Sequence, residues 1–226
     1  MGKYIIGCGL VLVLAIIAVV FIGGAMWADS YNKLVKLKQA VDAQWADVEN
    51  QYERRADLIP NLVNTVSGAA NFEKSTLIAV TDARASVGQV KLDPSQAPTD
   101  PAQLQKFDQA QGALGNALSR LLVVSENYPN LKADQNFLDL QAQLEGTENR
   151  ITTSRHYFNQ AVQDYNGAVQ SFPGNIVASF SGFTVRPYFQ ARPGSDVAPV
   201  VNFNNTSTNP APEATPAPAP VPVPTH

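Results

Sequence analysis

The sequence predicts an all-α protein: an N-terminal transmembrane helix continuing into an antiparallel bundle of about four long helices, then a disordered Pro/Ala-rich tail. Three observations predict it. An uncharged apolar run stands near the start, apolar residues then recur at alternating spacings of three and four, and strand-like alternation is scarce. The 226 residues suit one domain with an anchor and a tail. The expected divisions are a short N-terminus (1–4), a span (5–28), a bundle (29–190) and the tail (191–226).

The span comes first. From Ile5 to Ala28 there is no charged residue, and about 20 apolar residues suffice to cross the hydrocarbon core. A cleaved signal peptide has an apolar core of roughly 7 to 15 residues, which this run exceeds, so a retained anchor is expected. Trp27 and Tyr31 suit the interfacial belt of such a helix. Lys33, Lys36 and Lys38 follow the run, against Lys3 and the terminal amine before it, which favours an N-out protein with its domain in the cytoplasm. The single cysteine, Cys8, lies inside the run, so a disulfide framework is ruled out.

Beyond the span, Tyr31, Leu34, Val41, Trp45, Val48, Tyr52 and Ile59 form one helical face. Pro60 is expected to end this helix, to kink it, or to open a second one capped by Asp57 and carrying Leu62, Val66, Ala69, Leu77, Val80 and Val87. Two prolines between Gly88 and Pro101, Pro94 and Pro98, mark a connection. Asp100 followed by Pro101 is a helix start. The third helix then carries Phe107, Leu114, Leu121 and Tyr128 at intervals of seven, with Leu104 and Leu118 in a second row, and Pro129 stops it. The fourth has the strongest pattern: Phe137, Leu144, Ile151, Phe158, Tyr165 and Phe172, seven apart, beside the smaller row Leu140, Thr147, Ser154, Ala161 and Ala168. A large row beside a small one suits close antiparallel packing, and an intermolecular coiled coil is the competing explanation. After Pro173 and Gly174, one short helical turn and then an extended stretch, TVRPYFQ, are expected. Nine of the sixteen prolines lie beyond Gln190, in a composition that buries too little apolar surface to offset its ordering entropy.

The chain offers little for catalysis. With only His156 and His226, histidine-based chemistry or a zinc site lacks ligands; no cofactor is expected, and no enzyme. Glu145 and Glu148 read as carboxylates of a solvated face rather than a metal pair. The formal charge of −3 without a basic stripe argues against nucleic acid. The densest charge cluster is Glu53, Arg54, Arg55 and Asp57. Its adjacent arginines suit a clamp on a partner's carboxylate or on anionic headgroups, which makes these four the candidate interaction residues.

Three stretches carry a resemblance: YNKLVKLKQAVDAQWADVENQYERRADLIPNLVNTV after the span, SENYPNLKADQNFLDLQAQLEGTENRI, and QDYNGAVQSFPGNIVASF. Together they resemble the LemA family of bacterial membrane proteins over roughly residues 25 to 200. The resemblance implies an N-terminal transmembrane helix, a short extracellular N-terminus and an antiparallel helical bundle, with no catalytic residue or cofactor. The resulting expectation is a membrane-anchored scaffold or interaction module. Its partners would be the bilayer, through the N-terminal helix, one or more unidentified proteins, and a second copy if the seams pair between chains. The alternative is an accessory subunit of a membrane peptidase or envelope-modifying complex.

Overall fold

In the computed structural model the described residues are 2–69, 71–90 and 92–190, with side chains from Val13 onward; the expected tail, 191–226, lies outside them. The fold is all-α, with no strand among the described residues. Four long helices are α1 (Gly2–Ser67), α2 (Lys74–Gln89), α3 (Pro101–Ser125) and α5 (Gln135–Gln170), and two short ones are α4 (Pro129–Lys132) and α6 (Gly174–Ser181).

Helix α1 runs from the uncharged apolar stretch into the bundle without a break. The side chains from Val13 to Ala28 are all exposed; the polar residues Asp29, Ser30, Asn32 and Lys33 follow, and Leu34 is the first buried side chain. Pro60 neither ends α1 nor opens a second helix, a correction to the sequence expectation. Proline at position 60 cannot donate to the Ala56 carbonyl one turn back, which would leave that acceptor unpaired. Arg84 of α2 supplies the missing donor, with its Nε 3.2 Å from the Ala56 oxygen. Asp57 is therefore an exposed mid-helix residue and not a cap, and Leu62 and Val66 belong to the buried face of α1.

The remaining helix starts follow local rules. The Asp100 side chain accepts from the Ala102 amide at 2.8 Å with Pro101 in the first turn, and Asp134 likewise caps α5 through the Phe137 amide at 3.0 Å. Pro129 comes after α3 has already ended and opens α4. Tyr128 leaves the α3 seam to pack on Phe72, its hydroxyl donating to the Asn71 carbonyl. Gly174 meets α5 so closely that an added Cβ would stand 2.2 Å from the Ala168 carbonyl oxygen, and Gly182, at φ +75°, closes α6 in the left-handed conformation.

Pairings set the directions. Trp45 meets Phe158 while Arg55 meets Glu148, so α5 runs antiparallel to α1; Trp45 meets Phe107 while Arg55 meets Gln111, so α3 runs parallel to α1. Two apolar clusters form the core. One surrounds Trp45, with Phe107, Ile151, Phe158 and Phe189; the other holds Ile59, Leu62, Leu114, Leu121, Phe137 and Leu144. The α5 row from Phe137 to Tyr165 is buried as its spacing predicts, but Phe172 lies beyond the helix and is 74% exposed. A strict seven-residue row drifts by about 20° per heptad on a straight helix. Burial accordingly passes to Val162, Asn166 and Val169 near the end of α5.

The segment from Phe183 to Gln190 returns along α5 as a strap. Asn166 donates to the Arg186 carbonyl and accepts from the Arg186 amide, and Asn159 does the same with Phe189. Seven helical residues rise about 10.5 Å, a distance that three residues cover only when extended. The strap is thus extended and antiparallel to α5, its backbone paired by side-chain amides as a neighbouring strand would pair it.

Candidate functional site

The charged turn of α1 divides by helical geometry. Glu53, Arg54 and Asp57 face solvent, whereas Arg55 is only 4% exposed. Its guanidinium donates to Glu148 Oε2 of α5 at 2.8 Å and, through its other Nη, to both the backbone and the side-chain oxygen of Gln111 on α3. Its cationic carbon also stands 5.1 Å from the Tyr52 ring centre. The arginine pair therefore does not act as one clamp. Arg55 binds a carboxylate of its own chain, and Arg54 alone is left outward.

These three residues form a polar layer between the two apolar clusters. Along α1 the layer falls between Tyr52 and Ile59, along α3 between Phe107 and Leu114, and along α5 between Ile151 and Leu144. Sliding any helix by a turn would bury Arg55 against apolar side chains, so the layer fixes the mutual register of three helices. Glu148, which reads in the sequence as a solvated carboxylate, is half exposed and still serves this internal pair. Glu145 and His156 are solvent-exposed.

One turn before the cluster lies a group that the sequence does not single out. Glu49 is half buried, its Oε2 has no hydrogen-bond partner, and its pKa is raised to about 7. Burial is the main cause, followed by the negative charges of Asp93, in the loop after α2, and Glu53. The nearest signal in the sequence is the i, i+4 spacing of Glu49 and Glu53; nothing there brings Asp93 alongside. Asp93 itself stays below the usual carboxylate range because the Ser95 hydroxyl and amide donate to it. Glu49, Glu53 and Asp57 thus form an acidic line on α1 beside Arg54.

The sign of the Glu49 effect follows from linkage. A carboxyl with a raised folded-state pKa penalises the native state when ionised, and the penalty lifts as pH falls through about 7 toward the ordinary value. Glu49→Gln is therefore expected to stabilise the protein at pH 8 and to leave it unchanged at pH 4.5. Urea midpoints of both proteins across this range check it, and an equal difference at both ends refutes the assignment.

The residues of the charged turn and polar layer all lie inside one stretch of family likeness: residues 44–203 match the model of the LemA family. This chain belongs to the LemA family. Among relatives of this LemA-family protein, magnetosome protein MamQ 1 of Paramagnetospirillum magneticum is 28% identical over 184 residues, covering 74% of this chain and 66% of that one. MamQ of Magnetospirillum gryphiswaldense is 28% identical over 181 residues with the same coverage. Protein LemA of Metamycoplasma hominis is 24% identical over 148 residues, 65% of this chain and 63% of the relative. The chain thus matches just under two thirds of the length of these relatives. An apolar N-terminal helix and a family of this kind mark a membrane-associated helical protein.

Proposed function

We propose that this LemA-family protein is a non-catalytic scaffold that holds an interaction surface at a fixed reach from a membrane. The observation that carries this reading is the continuity of α1, which passes without a break from the uncharged apolar run into the bundle core and presents Glu53, Arg54 and Asp57 to solvent partway along. A flexible linker would let the domain wander; a shared helix does not. The internal use of Arg55 supports the same reading, since it stiffens the backbone under its exposed neighbours. The partner is a protein with a mixed-charge face that meets Arg54 between two carboxylates. We place the domain in the cytoplasm, with the N-terminus outside, on the strength of Lys33, Lys36 and Lys38 after the span. The MamQ relatives carry magnetosome names and not the name of a reaction, which accords with an organising role.

Site-specific photo-crosslinking in intact cells tests the proposal. A photoreactive side chain at Arg54 or Asp57 is expected to trap one discrete protein partner, while the same group at exposed Arg120 on α3 traps none. Equal capture at all three positions, or none at Arg54 and Asp57, overturns it. Capture of a membrane peptidase would instead favour the accessory-subunit alternative.

A further inference from the structure

Helix α6 buries one face and leaves most of the other exposed among the described residues. Val177 and Ala178 join the core cluster around Trp45, while Ile176 and Phe180, one turn apart, are 43% and 81% exposed. Phe172 stands exposed just before the helix. No charged residue occurs from Ser171 to Val185, which is unusual for a surface segment.

Its location identifies what covers it. The Phe180 ring lies 5.9 Å from that of Trp27, and the Phe183 ring 5.7 Å from that of Tyr31. Trp27 is the penultimate residue of the uncharged run, at the depth where indole rings settle between hydrocarbon and headgroups. Phe180 is one ring contact away and shares that depth. A bilayer crossed by α1 at the level of Trp27 would therefore reach the exposed face of α6 without a further partner being recruited. Lys33 and Lys36, exposed on the next turns of α1, stand on the headgroup side of this level.

We propose that α6 lies in the interfacial zone of the same bilayer as α1, with Ile176 and Phe180 inserted, so that the domain is attached at two points: one helix that crosses and one that lies flat. The proposal rests on α1 crossing the bilayer, and the test separates the two.

The full chain is reconstituted in phosphatidylcholine–phosphatidylglycerol vesicles that carry a nitroxide near the top of the acyl chain. In a Trp27→Phe background the remaining native indole, Trp45, is buried in the core and acts as an unquenched reference. Adding Phe180→Trp, or independently Phe172→Trp, is expected to contribute emission that the nitroxide largely abolishes. Val123→Trp, on an exposed position of α3, is expected to lose none. Emission at 172 and 180 quenched no more than at 123 overturns the proposal, and a blue-shifted but unquenched signal overturns it in favour of a second copy or another protein on that face. Flotation with the vesicles reports on α1 alone: a protein that floats but is unquenched loses only the α6 attachment, and one that fails to float loses the span and the proposal together.

Discussion

Replacing Trp45 by alanine is expected to cost about 3–5 kcal/mol, the usual range for emptying a buried aromatic site. Trp45 is fully buried, with ring contacts to Phe107 of α3, Phe158 of α5 and Phe189 of the strap. Its indole N–H donates to the Asp93 carbonyl at 3.2 Å, which ties down the loop after α2. Four separate pieces of chain thus converge on one α1 side chain, and their spacing leaves little room for collapse into the cavity. Trp45→Phe keeps most of the volume and loses the hydrogen bond, so a cost of about 1–2 kcal/mol is expected. Urea unfolding of the full chain in mild detergent, followed by far-ultraviolet circular dichroism, measures both. A cost below about 1 kcal/mol for the alanine variant would mean that the strap and the loop do not depend on this contact.

At the polar layer the expected result is an asymmetry. Glu148→Ala leaves Arg55 buried with its charge unpaired and is expected to cost about 3 kcal/mol. Arg55→Met keeps an apolar stem in place and lets half-exposed Glu148 turn to water, so the main loss is the donor to Gln111, about 1–2 kcal/mol. The double variant should then cost no more than Arg55→Met alone. The same unfolding measurement on the three proteins decides it; equal costs for the two single changes would show that Arg55 is hydrated and the layer is not closed.

What the sequence could reveal depended on how local the cause was. Asp100 with Pro101 is legible because a cap and a first-turn proline act within three residues, and the α3 and α5 rows are legible because periodicity is a property of one helix. Pro60 misleads because the donor that repairs its lost hydrogen bond, Arg84, comes from another helix. Arg55 reads as surface because burying a guanidinium is costly until Gln111 and Glu148 are both in reach, and neither is near it in the chain. Phe172 reads as part of a seam that ends before it, since the row continues in sequence after the helix has stopped. The strap's fastening is written only as two asparagines seven residues apart, a signal that acquires meaning once a second backbone lies beside it.

If α1 crosses a bilayer as proposed, its unbroken course makes the protein a lever whose fulcrum is that bilayer. From Ala28 to Ser67 the helix rises about 58 Å, so a tilt of about 10° in the span would carry its far end sideways by about 10 Å. Tilt is the ordinary response of a helix to a bilayer thinner than its apolar length. The far end of the domain would therefore register differences in membrane thickness as displacement, with no change in its own packing.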